Sequence, residues 1–582
     1  MHSARRLVPM FAWLLLAGLA VAQAPLGPKP ARTLVTAEHR PDAIDVKFTQ
    51  GSGVRLSAGR FVDPAGRHPE LEAINAFLAA AGGSPARLFP VGDDVLQTWR
   101  REGERRRGRP LHDLRLFFRV RLSQPGVAAA VCDTLNRFAV VELAYPVPGV
   151  SDPRSTAVPR TASDPSPDFE SLQGYRNAAP TGIDADYGNT FSGGQGTGTL
   201  IGDVETGWTD DHEDIRHKAE GRFVGSITPN YPWDHGTAVL GELIGENNQS
   251  GVKGIVYDAD VVMSSHGGFD VAGATASAIA ELAAGDILVL EVQCSGGPPG
   301  PYPCEYDNSI YALVETATAN GIHVFAAAGN GNRNLDLPDY GGKFNRAVRD
   351  SGAVICGASD GVSLNKAGFS NYGSRVDVHG WGYNVTTAGY GDLYGTDVRN
   401  EYTGGFNGTS SATPIVTGAG AILNSIHRTD YGTPLDPLAL RSLLASTGTP
   451  QGSGGNIGPR PNVRAAIDSL NLPRIALGAV SPASATIQIK GRAGDDYVLL
   501  FATAVRSAPI QLDPLGYLFL AGRVGTAAQG TIPPSGVAEV TLPVVSDPGL
   551  PGIPAQAYFQ AVEVFRNGQP GAGAFTNYLR AQ

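Results

Sequence analysis

Short apolar runs alternate with helix-like runs through the middle of this 582-residue chain, from about Asp168 to Leu472. Strands separated by helices run parallel, and a parallel sheet needs helices on both faces. This segment is therefore predicted to be an α/β domain with a mostly parallel, doubly covered sheet. The predicted strands are 198–204, 260–263, 287–292, 322–328 and 352–358, and the predicted helices are 236–244, 272–284 and 309–320.

The flanking segments have different textures. Before about residue 150, strand-like and helix-like stretches predict a small α+β domain with two helices on a sheet. The charge run at 100–109 within it is predicted to be a solvated loop rather than a nucleic-acid contact. After Leu472, strand-like runs separated by Gly, Pro and Asp predict an all-β sandwich. The predicted division is a signal peptide at 1–22, an α+β domain at 23–149, a linker and processing region at 150–170, the α/β domain at 171–472 and the β-sandwich at 473–582.

The N-terminal residues predict export. Arg5 and Arg6 precede an apolar run that ends at the small-residue site Ala20-Val-Ala22. The run is about 12 residues long and falls short of the roughly 20 that span a bilayer. We expect cleavage after Ala22 and a secreted protein without stable membrane insertion; an uncleaved anchor is the alternative. The net charge of −10 argues against nucleic acid as a partner.

Four cysteines suit an exported protein with an ordinary hydrophobic core. Cys294 and Cys304 are close in sequence and flank a Gly/Pro loop, which predicts a disulfide between them. Cys132 and Cys356 lie in apolar contexts and are predicted to be small buried side chains.

One serine stands among small residues before a helix-like run at 415–423, in the string Gly408-Thr-Ser410-Ser-Ala-Thr-Pro414. The free N–H groups and the dipole at a helix N-terminus stabilise negative charge, which a serine alkoxide and a tetrahedral oxyanion both carry. Ser410 is therefore a candidate nucleophile. The alternative is an ordinary N-cap.

A nucleophilic serine needs a base, a carboxylate that orients the base, and an oxyanion donor. His235 opens a small-residue helical run and is the candidate base; Asn330 ends the apolar run from Val324 and is the candidate donor, together with the Ser410 N–H. Alone, each is equally typical of a polar cap or a Gly-Asn turn. Together, in this order and each at the edge of a predicted strand, they indicate a serine hydrolase.

These motifs resemble those of the subtilisin-like serine peptidases. The matching residues are His235-Gly-Thr, Ala328-Gly-Asn330 and Gly408-Thr-Ser410-x-Ala-x-Pro414, and the likeness covers about 175–470. The resemblance implies a three-layer, doubly wound sheet and a secreted serine endopeptidase that cleaves peptide bonds through an acyl-enzyme. It also implies that Cys294, Ser295, Gly296 and Gly297 form the wall of the first specificity pocket, which the disulfide would brace.

By position and size, the N-terminal domain resembles a subtilisin propeptide. This implies a zymogen whose propeptide assists folding and acts as an intramolecular inhibitor, with a strand near 140–148 in the cleft. Self-cleavage is then expected between about 150 and 168.

The acid motif departs from the family pattern. His212-Glu-Asp-Ile215 matches the tail of the family's aspartate motif, and counting back places Glu205-Thr-Gly where the family has aspartate. Asp203 lies on the same strand face, about 6 to 7 Å away along the chain. Glu205 is preferred as the partner of His235, with Asp203 as the alternative. The missing aspartate also leaves two other hypotheses open, a catalytically impaired binding or structural protein on this fold and a sedolisin-type acid peptidase, against which the intact His235 motif argues.

No cofactor is required by this chemistry, but the resemblance raises the hypothesis of a structural calcium. Asp214 matches a carboxylate that often joins the family's calcium loop, and Asn248 lies in the corresponding loop at 246–252. Oxygen ligands of this kind suit calcium. An ordinary turn is the alternative.

Overall fold

The computed structural model describes residues 25–151, 166–226, 234–267, 270–470, 474–481, 484–491, 493–512, 516–545, 553–554, 557–564 and 573–581. The predicted signal peptide and most of the predicted linker, 152–165, lie outside the described residues. None of the helices in the described part of the chain has the length and apolar character needed to cross a bilayer.

The N-terminal domain packs helices on an antiparallel sheet of order β4-β5-β1-β6. Its elements are β1 Ala43–Phe48, β2 Arg55–Ser57, β3 Arg60–Val62, α1 Glu70–Ala80, β4 Gly83–Arg87, α2 Asp93–Arg107, β5 Phe117–Leu122, α3 Ala128–Leu135, β6 Val141–Pro146 and β7 Gly149–Ser151. Helices α1 and α3 share one apolar core with the sheet. The small α+β domain predicted from the sequence is confirmed.

The charge run at 100–109 is mostly helical, so the predicted loop is wrong. Helix α2 begins with Asp93 and Asp94 and ends with three arginines, which complements the helix dipole. Its buried side faces the α/β domain, because a Cβ on Gly103 would meet side-chain atoms of Leu111 and Ala319. The charges cover the outer face of a helix that docks on the next domain.

The α/β domain is built on a parallel sheet. Its elements are α4 Ala185–Gly188, β8 Leu200–Glu205, α5 Arg216–Ala219, β9 Phe223–Val224, α6 Asp234–Ile244, β10 Asp260–Ser265, α7 Val271–Glu281, β11 Ile287–Leu290, β12 Gln293–Ser295, β13 Tyr302–Pro303, α8 Asn308–Ala319, β14 His323–Ala327, β15 Val354–Ser359, β16 Val378–Trp381, β17 Val385–Ala388, β18 Tyr402–Phe406, α9 Thr409–Tyr431, α10 Pro437–Thr447 and α11 Val463–Leu470. Within the described ranges, seven strands join in the order β16-β15-β14-β11-β8-β10-β9.

Two apolar layers cover this sheet. Helices α6 and α9 pack on one face and α7 and α8 on the other. The second layer also includes side chains of the N-terminal domain, so the two domains share a continuous core. The predicted three-layer, doubly wound sheet is confirmed.

The C-terminal region is all-β, as predicted. Its elements are β19 Arg474–Ser481, β20 Ser484–Lys490, β21 Asp496–Leu512, β22 Gly516–Thr531, β23 Val537–Val545, β24 Ile553–Pro554, β25 Ala557–Val564 and β26 Gly573–Ala581. Its described strands form two sheets, β19-β20-β23-β24 and β22-β21-β25-β26. Apolar side chains of both sheets meet in one core, as in a sandwich.

Candidate active site

The candidate residues meet at the carboxyl edge of the parallel sheet. Glu205 is the last residue of β8, and Asn330 follows the end of β14. His235 and Ser410 are each the second residue of a helix, α6 and α9, on the same face of the sheet. Loops and helix N-termini converge at this edge in doubly wound sheets, which is where such folds bind their ligands.

Glu205 and His235 are in direct contact. The Glu205 Oε1 atom lies 2.6 Å from His235 Nδ1, a distance at which the ring N–H donates to the carboxylate. Both side chains are largely buried, with 4% and 12% of their surface exposed. Fixing Nδ1–H in this way leaves Nε2 as the basic nitrogen of the neutral ring.

Asp203 has a different partner. It is fully buried two residues before Glu205, and its Oδ2 accepts a hydrogen bond from the Trp208 indole at 2.8 Å. Burial, with the nearby Glu205 carboxylate as a second cause, raises the pKa of Asp203 well above its usual range. Trp208 in turn packs against the start of α6, since a Cβ on Gly236 would meet its ring.

Ser410 and Asn330 are joined through Thr409. The Asn330 Oδ1 accepts hydrogen bonds from the Thr409 N–H at 2.8 Å and from the Thr409 hydroxyl at 3.0 Å. Because one end of the amide accepts both hydrogen bonds, that end is the oxygen, and the donor N–H groups of the side chain are on Nδ2. Gly408 has φ +110, a conformation that favours glycine, and a Cβ there would lie 3.3 Å from Asn330 Nδ2.

The histidine and the serine loop are brought together by an aromatic contact. The ring of Phe406, which ends β18, meets the His235 ring edge-on with 5.5 Å between centroids. The chain then enters α9 through Gly408, so the aromatic side chain in contact with the imidazole precedes Ser410 by four residues.

The predicted pocket wall is a short strand with its own brace. Cys294 and Cys304 form a disulfide, as predicted. The Gly297 N–H donates to the Tyr302 hydroxyl at 2.9 Å, which ties the wall to β13. On its other edge, β12 pairs antiparallel with β7, with Cys294 opposite Val150. The strand beside the wall is thus β7, which follows the predicted 140–148 stretch; that stretch belongs mostly to β6 in the N-terminal sheet.

The predicted calcium ligands are occupied by backbone donors. Asp214 accepts the N–H of Glu246 at 3.0 Å and that of Val252 at 2.7 Å, and the Asn248 side chain accepts the Ser250 N–H at 2.9 Å. The residues that the structure describes contain no group of three or more acidic, His or Cys side chains able to hold a metal. As arranged, these oxygens accept backbone N–H groups and do not form a ligand set around one point, so calcium remains a prediction from the resemblance alone.

Sequence reasoning missed several residues around the site. Trp208 directly follows the Glu205-Thr-Gly turn, and its indole N–H was a signal for a buried acceptor nearby. Gln293 accepts the Asn330 N–H at 2.9 Å and so links the pocket wall to the amide. Glu291 is a single acid inside an apolar run, which was a signal for an unusual buried carboxyl.

A serine at a helix N-terminus, an imidazole bonded to a carboxylate and an oriented amide, gathered at one sheet edge, define the class of serine hydrolases. Residues 196–460 match the model of the Subtilase family. The chain is 31% identical to Subtilisin BL of Lederbergia lenta over 39% of this chain and 77% of that protein, and 30% identical to Subtilisin DY of Bacillus licheniformis over 44% and 86%. A solved protease structure from Pseudoalteromonas arctica aligns with 53% of this chain and 99% of its own, at a TM-score of 0.40 and 21% identity. The chain belongs to the subtilase family and is a subtilisin-like serine endopeptidase.

Proposed function

We propose that the protein is a secreted endopeptidase in which Ser410 is the nucleophile, His235 the general base, Glu205 the orienting carboxylate and Asn330 an oxyanion donor. The observation that carries the assignment of the acid is the 2.6 Å contact between Glu205 and His235 Nδ1. Asp203, the alternative acid, bonds instead to Trp208.

The reaction follows from these positions. The Ser410 oxygen attacks the scissile carbonyl carbon while His235 Nε2 accepts the hydroxyl proton, and the carbonyl oxygen becomes an oxyanion. The Asn330 amide and the Ser410 N–H donate to that oxyanion. His235 then gives the proton to the leaving amine as the C–N bond breaks. A water molecule, deprotonated by His235, cleaves the acyl-enzyme and restores the serine.

The N-terminal domain is proposed to be an intramolecular inhibitor. Strand β7 lies along β12, the strand on which an extended substrate is expected, with Ser295 opposite Gly149 and Gln293 opposite Ser151. A second segment lies over β7: the Arg40 N–H donates to Val147 O at 3.0 Å, and a Cβ on Gly149 would strike the Glu38 carbonyl. These contacts support a strand that occupies the substrate position.

Charged groups also join the inhibitor to the peptidase. Arg119 binds Asp45 of its own domain with two hydrogen bonds and donates to Asp270, which caps helix α7, at 2.8 Å. Arg109 bonds Glu315 of α8 at 2.8 Å. The bidentate bond to Asp45 fixes the Arg119 guanidinium, and the single bonds to Asp270 and Glu315 then favour one docked orientation.

Labelling with a fluorophosphonate tests the nucleophile. We expect one adduct on the processed protein, at Ser410, and none on Ser410→Ala. Ser411→Ala is the matched control, because the Ser411 hydroxyl donates to the carbonyls of Trp381 and Gly408, and it should label like the parent. Absence of an adduct on processed parent protein would end this assignment and favour a binding protein on the same fold.

The N-terminus of the secreted protein tests export and processing together. We expect it to begin between about residues 150 and 168, and we expect Ser410→Ala to keep the N-terminal domain because it cannot cut itself. Processing of Ser410→Ala to the same N-terminus by purified protein alone would contradict self-cleavage.

Activity confined to acidic pH would favour a Ser-Glu-Asp acid peptidase.

A further inference from the structure

Four carboxyl groups lie buried behind the imidazole. Asp203 and Glu205 are on β8, Glu242 is on α6, and Glu291 follows the end of β11. Each has 3% or less of its surface exposed. Burial of this many carboxyls next to one another is costly unless protons or cations offset their charge.

The sheet register places Glu291 beside Glu205. Strands β8 and β11 pair in parallel, with Val289 opposite Asp203 and Leu290 opposite Val204. Continued by one residue past this last pair, the register places Glu291 next to Glu205 on the same face of the sheet, and, after burial, the Glu205 carboxylate is a cause of the raised pKa of Glu291. Neighbouring strands are about 4.8 Å apart, so the two side chains are adjacent in one row across the sheet.

Within the described part of the chain, no basic side chain bonds to Glu291. Among the residues that the structure describes, neither carboxyl oxygen of Glu291 or of Glu242 has a hydrogen-bond partner. Other buried acids of the domain do have one: Glu305 bonds to Arg375 at 3.0 Å. The unpartnered pair is therefore unlike the structural ion pairs elsewhere in this fold.

The groups that face Glu291 cannot stabilise its anion. The charges that act on Glu291 are those of Asp203 and Glu205 on β8 and Glu242 on α6, and burial together with Glu291 in turn raises the pKa of Cys356 on β15. On α6, His235 bonds to Glu205. The first turns of α9 contribute only small, hydroxyl and apolar side chains. Burial, with the carboxylates of Glu205, Asp203 and Glu242 as further causes, raises the pKa of Glu291 well above its usual range.

We propose that Glu291 is a positioning residue that acts through its proton: while neutral, it leaves Glu205 as the anion that holds His235, and when it ionises at alkaline pH it disables the pair. The inference rests on the proposed function of Glu205. When Glu291 gives its proton to solvent, a second buried anion stands beside the Glu205 carboxylate, and the repulsion between the two displaces Glu205 from Nδ1–H. Asp203 bonds to Trp208 and lies two residues earlier on β8, so we expect Glu291 rather than Asp203 to control the position of Glu205.

The pH profile of Glu291→Gln tests the proposal. The processed enzyme and its processed Glu291→Gln variant are compared by kcat/KM on one peptide substrate from about pH 5 to about pH 10. In the acidic and neutral range we expect the two enzymes to have the same kcat/KM within about twofold. At alkaline pH the kcat/KM of the parent should fall about tenfold per pH unit, whereas that of the variant should not fall or should fall only at higher pH. Superimposable alkaline limbs, or a variant loss that is the same at every pH, would overturn it.

A matched control separates position from burial. Asp286→Asn also removes a buried carboxyl of the peptidase domain, just before β11 at the opposite end of that strand, where the side chain accepts the N–H groups of Leu200 and Ala283. We expect its alkaline limb to coincide with that of the parent. A shift equal to that of Glu291→Gln would show a general charge effect and overturn the specific role of Glu291.

Unfolding provides a readout that does not depend on catalysis. In the Ser410→Ala background, thermal unfolding is measured with and without Glu291→Gln across the same pH range. A carboxyl that is neutral in the folded protein but ionised in the unfolded chain destabilises the fold as pH rises above its ordinary pKa. Glu291→Gln removes this penalty, so the amount by which its Tm exceeds that of the protein with Glu291 is expected to grow with pH. A constant difference would show that Glu291 is already ionised in the folded protein and would overturn the proposal even if the enzyme is active.

Discussion

The two sides of the active site are held by different kinds of interaction. Around Ser410 and Asn330 the contacts are made by an amide, a hydroxyl and backbone groups, none of which titrates in the range where the enzyme folds. Around His235 the contacts are made by carboxyls, several of them buried and crowded. The oxyanion side should therefore keep its geometry at any pH at which the protein is folded, whereas the histidine side depends on where protons reside. Substitutions on the two sides should differ in both size and pH dependence.

The largest effect is expected on the histidine side. Glu205→Gln should lower kcat by about 10⁴-fold, because loss of the orienting carboxylate releases the imidazole from its productive tautomer. Asp203→Asn should lower it far less, by under about tenfold, since the asparagine oxygen can still accept from Trp208. Both are measured as kcat on processed enzyme. An inactive Asp203→Asn with an active Glu205→Gln would reverse the assignment of the acid.

An intermediate effect is expected on the serine side. Asn330→Ala should lower kcat by about 10²- to 10³-fold with KM little changed, because the amide acts on the oxyanion of the transition state. The loss should be the same at every pH, which steady-state kinetics across the pH range will show. A loss that varies with pH would mean that the amide is coupled to the carboxyls, and the distinction between the two sides would fail.

The comparison also explains how far the sequence could lead. Motif spacing predicted the serine, histidine and amide, since each belongs to a strand end or helix start that the alternating pattern already marks. It preferred Glu205 but left Asp203 as an alternative, because both share one strand face and the choice depends on Trp208 and on where α6 lies. The helix at 93–107 was not predicted because its arginine-rich second half has the composition of a solvated loop and only a narrow side of the helix is buried.

The role of Glu291 was equally out of reach from sequence. Within the predicted strand 287–292 it is one acid among apolar residues, and nothing local says which strand lies alongside. Only the pairing of β11 with β8 makes it a neighbour of Glu205. Long-range register, which depends on the whole sheet, is the information that local patterns lack.

The smallest effect concerns stability. Burial raises the pKa of Glu242 well above its usual range, so this carboxyl is neutral in the folded protein and ionises on unfolding above its ordinary pKa. The folded state is therefore destabilised as pH rises through that window, by up to about 1.4 kcal/mol per pH unit for one group. In the Ser410→Ala background, the gain in unfolding free energy from Glu242→Gln should grow with pH in urea titrations.

A control on the surface completes that experiment. Glu220 is exposed, so Glu220→Gln should change the unfolding free energy little and by the same amount at each pH. If Glu242→Gln behaves like Glu220→Gln, the buried carboxyls are not neutral in the folded state and the contrast between the two sides loses its basis.

Strand β7 is held on one edge by β12 and covered by the segment around Arg40. A cut beyond Ser151 breaks one covalent bond and none of these contacts. The cleaved enzyme is therefore expected to remain inactive for as long as the non-covalent complex survives, so that appearance of activity lags behind appearance of the new N-terminus. The length of that delay is set by the dissociation or digestion of the N-terminal domain, and it should shorten when a small amount of active enzyme is added.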